Sequence, residues 1–308
     1  GPVLVKSGDI ASGNTNTAST VGGVQVSTDN AIEYQGLTSL TLDAGGGSQT
    51  LRPLSVAGDL TLSNGSFIMN CVKGASNCLN VGGTLTLQNG AVLQHQSTTP
   101  TTEYALEISA AGLNIDSASS ISAAGRGYSY TGNSNHTART FPNVEVNYGD
   151  RTGGSHGGEG GSSSDNGINS YGSFADPNTS GGSGTYLWGY AVSGGGVVRI
   201  NLGNGTATIN GTIEVNGAGN GSAGGAGGSI LLRTGTLQGG GTLKANGGST
   251  GDGRGGAGGR IAVYYTTASD GFSFPSSILS RLQAFGGYGN YVSGAAGTIY
   301  LKSASQTY

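Results

Sequence analysis

The chain contains 308 residues, of which 63 are glycine and only 9 % are charged, whereas globular proteins average roughly 7 % glycine and 25 % charged residues. Because each glycine inside a helix costs about 1 kcal/mol relative to alanine, this composition excludes a mainly helical protein. The net charge of −3 gives no electrostatic basis for binding nucleic acid or an anionic membrane, and no apolar run reaches the ~18 residues of a membrane span.

Short runs of alternating apolar residues predict β-strands in the N-terminal part of the chain. Leu60 and Leu62 alternate with polar residues, and the same pattern recurs 25 residues later at Leu85 and Leu87. Strict alternation is typical of a strand with one buried face, and the Asn-Gly pair after each run accepts the positive φ of a turn. Ser39–Leu42 predicts the first strand of the same series.

Cys71 and Cys78 are the two cysteines of the chain and lie within one short segment. In an exported protein we expect them to close a disulfide, whereas in a reducing compartment they would remain two unpaired thiols. A zinc site is not predicted, because it needs four ligands and neither a CxxC pair nor a nearby histidine provides the others.

Two strand patterns recur in the C-terminal part of the chain. The first follows a glycine and has apolar residues at the second and fourth positions after it, in the segments Gly196–Asn201, Gly228–Arg233, Gly259–Tyr264 and Gly297–Lys302. The second places pairs of inward-facing residues at Ile121/Ala123, Ile213/Val215, Leu243/Ala245 and Leu282/Ala284. The spacing from a second-pattern strand to the next first-pattern strand is 17 or 18 residues, while the return varies more. This combination predicts similar coils stacked in parallel.

A repeat of 25–39 residues is too long for hairpins and favours an all-β parallel β-helix, a solenoid in which each coil buries its apolar face by stacking. The predicted organisation is N-terminal β-helical coils at 1–125, a Gly/Ser/Tyr-rich excursion from the rod at 126–190, and glycine-rich β-helical coils at 191–308. Glu214 and Lys244 would then be neighbours on adjacent coils. A β-sandwich or jelly roll is the alternative fold.

The tracts 216–228 and 247–259 consist almost entirely of glycine and small residues. They are either flexible linkers or ordered legs of the coils. Their nearly constant length and recurrence in register favour ordered legs, in which backbone packs directly against backbone.

The excursion contains two of the three histidines and the only tryptophan. Because loops on rigid scaffolds carry much of protein binding, we predict that this segment contacts a protein or glycan partner through exposed aromatic rings. The predicted contact residues are Tyr128, Tyr148, Tyr171, Trp188 and Tyr190. The alternative is that these rings cover the small-residue backbone of the rod.

The order of motifs between about residues 150 and 302 resembles the glycine-rich repeat regions of large secreted or surface proteins of bacteria. The motifs include Tyr171-Gly172-Ser173, Gly227-Gly-Ser-Ile230 and Gly258-Gly-Arg-Ile-Ala-Val-Tyr-Tyr265. The resemblance implies an extracellular, β-helical protein with an adhesive or structural role. It implies no catalytic residues.

No cofactor is predicted, although calcium could bind at isolated sites that use Asp150, Asp165 or Asp176 with backbone carbonyls. The alternative is that these are solvated loop acids. Two GxGxxG matches, at 219–224 and 251–256, are not predicted to bind nucleotide, because neither opens a helix followed by an acidic residue.

A polysaccharide lyase or glycosidase is the enzymatic alternative, since such sites need paired carboxylates or an acid with a base on one face. The residues available for this chemistry are Arg151, His156, Glu159, Asp165 and Asp176. Their Gly/Ser-rich surroundings offer little to hold them in a productive geometry, so we do not predict an enzyme.

The sequence therefore predicts an extracellular structural or adhesive protein of the cell surface. Uncapped ends of stacked coils invite strand addition. We accordingly expect copies of the chain to join end to end into a filament, with Val3, Leu4 and Val5 pairing onto a neighbour. Surface polysaccharide is a second expected partner, and a polysaccharide-binding or polysaccharide-cleaving protein is the alternative function.

Overall fold

A computed structural model describes residues 3–6, 19–21, 24–26, 32–34, 39–74, 78–129, 137–148, 151–162, 169–187, 190–219, 222–273 and 277–305. Within these residues the regular secondary structure is almost entirely β-strand, with one short α-helix, α1 (Ile278–Arg281), and one 3₁₀ helix (Asp270–Phe272). Neither helix has the length and apolar character needed to cross a membrane, and the described ranges contain no other helix.

Strands form the rest of the regular structure in the described ranges. In chain order they are β1 (Val3–Lys6), β2 (Ser19–Val21), β3 (Val24–Val26), β4 (Ile32–Tyr34), β5 (Ser39–Asp43), β6 (Ser48–Leu51), β7 (Leu54–Val56), β8 (Asp59–Ser63), β9 (Ser66–Met69), β10 (Leu79–Gln88), β11 (Val92–His95), β12 (Leu106–Ile115), β13 (Ser120–Ser122), β14 (Thr137–Thr140), β15 (Val144–Tyr148), β16 (Gly184–Leu187), β17 (Tyr190–Val192), β18 (Val197–Asn201), β19 (Thr206–Ile209), β20 (Thr212–Glu214), β21 (Ser229–Arg233), β22 (Thr236–Gln238), β23 (Thr242–Lys244), β24 (Arg260–Tyr265), β25 (Thr267–Ala268), β26 (Leu282–Gln283) and β27 (Thr298–Ser303).

Most strands belong to two long parallel sheets, which together form three ladders. The 14-stranded sheet comprises ladder A (β1, β5, β8, β10, β12, β19, β22, β25) and ladder B (β4, β7, β10, β12, β18, β21, β24, β27), joined where β10 and β12 run through both. The 7-stranded sheet is ladder C (β6, β9, β11, β13, β20, β23, β26). Antiparallel pairing, which a β-sandwich or jelly roll requires throughout, is limited among the described strands to three hairpins, β2–β3, β14–β15 and β16–β17.

The chain visits the ladders in the fixed order B, A, C, and we call one such passage a rung. The strands β18, β19 and β20 form one rung, and each strand pairs in register with its counterpart in the next rung, β21, β22 and β23. The protein is thus an all-β molecule built from long parallel sheets, as the recurring strand patterns predict.

The core consists of columns of apolar side chains that continue from rung to rung. The pairs predicted to point inward at 121/123, 198/200, 213/215, 230/232, 243/245, 261/263 and 282/284 are all buried. Leu60 and Leu62 are also buried and lie in register with Leu85 and Leu87, so the 25-residue echo is one rung of the stack. Burying each such leucine stabilises the fold by about 1.5–3 kcal/mol.

The described parts of the glycine-rich legs are hydrogen-bonded, although they are neither helix nor strand. In the tract 224–228, three successive N–H groups donate to three different neighbours. The first is the next rung, the second is the preceding leg of the same rung, and the third is the excursion. The following residues repeat this order. The bonds are Gly224 to Arg254, Gly225 to Ala218, Ala226 to Gly182, Gly227 to Ala257 and Gly228 to Val215. The tract 255–259 repeats the cycle, with bonds to Val292, Gly248, Gly154, Ala295 and Ala245.

A cycle of three donors is the signature of an extended polyproline-II-like backbone, which has three residues per turn and no internal hydrogen bonds. Each leg can therefore bond three neighbours at once, but only if they approach closely. A Cβ atom at Gly225 would collide with the Ser193 carbonyl oxygen, and one at Gly256 with that of Gly225. Glycine is needed in these legs because the neighbouring backbones occupy the space of a side chain.

The excursion predicted at 126–190 lies between strand β13 and strand β18 and contains two hairpins, β14–β15 and β16–β17. Part of it is buried, because Gly154 accepts from Ala257 and Gly182 accepts from Ala226 in the glycine-rich legs. The excursion therefore contributes a packed neighbour to the legs, beyond the surface position that the sequence predicts for it. The division of the chain into three parts stays a prediction.

The predicted proximity of Glu214 and Lys244 is confirmed, since the two residues are paired in register on β20 and β23. They do not form an ion pair. The Glu214 carboxylate instead accepts hydrogen bonds from the Ser122 hydroxyl and the Asn216 side-chain amide, both at 3.0 Å.

Candidate functional site

The outer side of the last described rung, residues 284–304, exposes several large apolar side chains, and we call it the end face. Its large exposed apolar side chains are Phe285 (61 %), Tyr288 (61 %), Tyr291 (57 %), Val292 (42 %) and Ile299 (40 %). The residues equivalent to Ile299 in the two preceding rungs, Ile230 and Ile261, are both 0 % exposed. The end face is thus a cross-section of the core that no further rung covers in the described residues.

Backbone donors in β27 also point out of the end face. The N–H groups of Thr298 and Ala304 donate to the preceding rung, at Gly259 and Tyr265. Since N–H groups alternate in direction along a parallel strand, those of Ile299 and Leu301 point to the open side. This edge is competent to pair with another parallel strand.

The glycine-rich leg of the last rung has the same open side. Gly294 and Gly297 donate to the preceding leg of the same rung and Ala295 donates to Glu159 of the excursion. By the cycle of three, the N–H of Ala296 is the donor that would reach a further rung. It makes no hydrogen bond within the described part of the chain, and the residue is exposed.

The opposite end of the stack begins with β1, which contains the predicted assembly residues Val3, Leu4 and Val5. β1 pairs in parallel with β5, with Val3 opposite Leu40 and Val5 opposite Leu42. No second strand pairs with β1 among the described strands.

At each end of the stack one ladder extends one strand beyond the other, and we call this offset a step. The steps at the two ends are complementary. At the last rung, ladder B continues to β27 while ladder A stops one strand earlier, at β25. At the first rung, ladder A begins at β1 while ladder B begins one strand later, at β4. In the order B, A, C, the strand that should follow β27 is a ladder A strand, and β1 is a ladder A strand that lacks its ladder B partner.

The five predicted aromatic contact residues are not brought together on one surface. Tyr128 is 1 % exposed and its hydroxyl donates to the Asn143 side-chain oxygen at 3.0 Å. The expectation that it offers a ring to a partner is therefore wrong, because its ring is packed in the interior. Tyr148 and Tyr190 lie on β15 and β17, and Trp188 lies outside the described residues.

The Tyr171 side chain packs within the excursion, while its backbone carbonyl accepts a hydrogen bond from Arg260 of β24 at 2.8 Å. Its hydroxyl lies 2.8 Å from the Ser180 carbonyl oxygen and 2.9 Å from the Thr140 hydroxyl, and its ring packs against His156 with centroids 4.9 Å apart. Burial of the hydroxyl raises the pKa of Tyr171 well above its usual value. These contacts hold the Tyr171 ring inside the excursion, and whether the other predicted rings contact a partner or cover the rod stays a prediction.

Three of the residues considered for enzymatic chemistry, His156, Arg151 and Glu159, lie in different surroundings. His156 is fully buried, with Nδ1 2.7 Å from the Gly227 carbonyl and Nε2 3.0 Å from the Thr179 hydroxyl. Arg151 pairs with Asp252 at 3.1 Å, and Glu159 is exposed. Asp165 lies outside the described residues.

Of the expected calcium ligands, the structure describes Asp176. Asp176 accepts from Arg199 at 3.1 Å and from Arg233 at 3.2 Å, so two guanidinium groups occupy its carboxylate. Asp150 and Asp165 lie outside the described residues, and within the part of the chain that the structure describes no three His, Cys, Asp or Glu side chains come together in a metal-binding cluster.

Cys71 and Cys78 form the predicted disulfide. Both cysteines are buried at the edge of the core. The two residues therefore do not bind zinc and do not remain unpaired thiols.

Comparisons with protein-family models, curated proteins and solved structures found no match to this chain. The resemblance to glycine-rich repeat regions of bacterial surface proteins therefore stays a prediction. The sequence predicts uncapped ends of the stack and names Val3, Leu4 and Val5 for assembly, but it does not name the residues of the end face.

Proposed function

We propose that this protein is an extracellular structural or adhesive protein, folded as a parallel β-helix, whose copies join end to end into a filament at the cell surface. The complementary steps carry the proposal. When β1 of one copy follows β27 of another, the two strands supply the ladder B and ladder A positions of one rung, with β1 paired on β25 and β4 of the incoming copy paired on β27.

Two further observations support this function. The end face exposes apolar side chains and backbone donors that a following rung would cover, and long uncovered apolar edges otherwise favour uncontrolled association. The disulfide supports an oxidising, extracellular location, because disulfides form and persist mainly there.

The assembly predicts a defined effect of charge on the end face. Ile299→Lys places an ammonium group where the next rung would bury an isoleucine, and an unpaired buried charge is strongly unfavourable. We expect wild-type protein to form filaments in electron micrographs and Ile299→Lys to remain monomeric by light scattering. Val144→Lys, which adds the same charge at an exposed apolar residue of β15, is the matched control and should still assemble.

A mixing experiment separates end-to-end joining from other contacts. Val5→Asp in β1 blocks the first end and Ile299→Lys blocks the last end, so each variant alone should be monomeric. An equimolar mixture retains one intact end of each kind and should form heterodimers and nothing longer. Dimers of either variant alone, or filaments formed by Ile299→Lys, would rule out the proposed joining.

A further inference from the structure

The outer side of ladder B carries a row of polar side chains that end-to-end assembly does not use. The row crosses five consecutive strands in register and contains Ser109, Asn201, Arg233, Tyr264 and Lys302. Because side chains alternate between the two faces of a strand and the neighbouring Ile200 and Leu232 are buried in the core, this row faces outward.

A loop of the excursion, residues 173–177, forms a wall along this row. The Asp176 carboxylate accepts hydrogen bonds from Arg199 and Arg233, and Arg199 also donates to the Pro177 carbonyl at 2.9 Å. The Tyr264 hydroxyl donates to the Ala175 carbonyl at 2.7 Å. These bonds place the loop beside Arg199, Arg233 and Tyr264, three residues that line the groove described below.

Aromatic rings complete one end of the wall. Phe174 packs edge-on against Tyr300 with centroids 5.5 Å apart, and Tyr300 packs against Tyr264 at 5.7 Å. The Arg233 guanidinium lies over the Tyr264 ring, 5.2 Å from its centroid. Flat aromatic surfaces next to a cationic group favour ligands that have both apolar ring faces and negative charge.

The groove consists of two adjoining hollows of about 310 and 330 Å³, each of the size that binds small ligands, roughly 300–1,000 Å³. They share Asn201 and Arg233, which therefore lie at the middle of the groove. The first hollow extends over Asn80, Glu107 and Arg199, and the second over Asn204, Thr234, Tyr265, Thr266 and Lys302.

The charge of the lining favours an anionic ligand in the second hollow. Its described lining contains two cationic side chains, Arg233 and Lys302, and no carboxylate. Arg233 has five N–H donors, its bond to Asp176 uses one nitrogen, and 42 % of its side chain is exposed. It can therefore form the two parallel hydrogen bonds with which arginine recognises a carboxylate.

We infer that this groove binds an acidic oligosaccharide, a glycan chain whose sugars carry uronic acid carboxylates. The amide and hydroxyl groups of Asn201, Asn204, Thr234 and Thr266 suit the many hydroxyls of a glycan, and the tyrosines suit its ring faces. The strand spacing of about 4.8 Å places one recognition position per rung, comparable to the length of one sugar unit. A carboxylate of the chain pairs with Arg233.

Binding is tested with a fluorescently labelled hexamer of galacturonic acid as the probe, measured by anisotropy on the Ile299→Lys variant. This variant separates binding from assembly, so that failure of one proposal leaves the other intact. The neutral galactose hexamer should bind at least tenfold more weakly. Arg233→Ala should weaken probe binding about tenfold or more, because it removes a charge-assisted pair, whereas Arg233→Lys should cause an intermediate loss.

Arg52→Ala, which removes one positive charge outside the groove, is the matched control and should change the affinity less than twofold. Unchanged circular dichroism and melting temperature show that each variant is folded. Equal losses in Arg233→Ala and Arg52→Ala, or equal binding of the acidic and neutral hexamers, would overturn the inference. Equally tight binding of a glutamate hexapeptide would also overturn it and would identify the groove as a site for acidic peptides.

Discussion

Two buried histidines act as neutral hydrogen-bonding groups that join distant parts of the chain. His95 Nδ1 lies 2.6 Å from the Gln96 carbonyl and must donate, so Nε2 accepts the N–H of Val197 at 3.1 Å. His156 is arranged in the same way, since Nδ1 donates to Gly227 and leaves Nε2 to accept from the Thr179 hydroxyl. Each imidazole thus has both nitrogens satisfied only while it is uncharged.

This arrangement predicts a loss of stability in mild acid. Burial lowers the pKa of His95 to about 4 and that of His156 to about 3, while the unfolded chain takes up these protons near pH 6.5. The contribution of the two neutral histidines is therefore fully present above pH 6.5 and declines as the pH falls towards 4. The free energy of unfolding should fall by about 1.4 kcal/mol per pH unit for each histidine within this window.

Urea denaturation followed by circular dichroism between pH 7 and pH 4.5 measures this slope. Replacing one histidine, in His95→Gln, should remove about half of the pH dependence whatever it does to the stability at pH 7. An unchanged slope in His95→Gln would contradict the assignment of the acid sensitivity to this residue.

At the level of the element, the glycine-rich legs give a prediction for which a glycine outside the legs is the control. Gly256→Ala places a methyl group against the Gly225 carbonyl, so neighbouring backbones must move apart and lose hydrogen bonds in the cycle of three. We expect a destabilisation of at least about 1–3 kcal/mol. Gly240→Ala meets no atom within 4 Å and should be neutral or slightly stabilising. Equal melting temperatures of the two variants would show that the legs tolerate side chains.

Many of the strands were predictable from the sequence, but the short ladder A strands β19, β22 and β25 and the partners of the glycine-rich legs were not. The burial of Ile200, Leu232 and Val263 is predictable because apolar residues recur at every second position along a strand that has one face in the core. Gly154 and Gly182 carry no comparable signal, because they bond through their backbones to partners far away in sequence. Periodicity therefore located the rungs but not the third neighbour of each leg.

The groove on ladder B also has one part that the sequence predicts and one part that it does not. Asn201, Arg233, Tyr264 and Lys302 occupy the same position in the four aligned segments, so their row on the outer face could be inferred from the repeat. The wall over that row could not, because Asp176 reaches Arg233 across a long insertion with no repeat of its own. The alternation of apolar residues predicts the stacked strands. It does not predict where a loop packs on them, because that depends on contacts between residues far apart in sequence.

For the whole molecule, rungs that mainly contact their neighbours should unfold in parts, since stability in stacked architectures approximates a sum of neighbour interactions. The excursion packs against the later rungs through Gly154, which bonds Gly224 and Ala257. A Cβ atom at Gly154 would collide with the Gly182 carbonyl. Gly154→Val should therefore loosen the tracts 224–228 and 255–259 while leaving the leucine columns of β8 and β10 intact.

Hydrogen exchange measured by mass spectrometry tests this separation directly. Gly154→Val should accelerate exchange in peptides covering 222–259 by an order of magnitude or more, since a loss of about 1.4 kcal/mol in local opening corresponds to tenfold. Peptides covering 59–63 and 79–88 should keep wild-type protection. Gly251→Val, at a leg position with no atom within 4 Å, should leave both regions unchanged. Equal acceleration throughout the chain would mean that the stack unfolds as one cooperative unit, and the neighbour-by-neighbour account of its stability would be wrong.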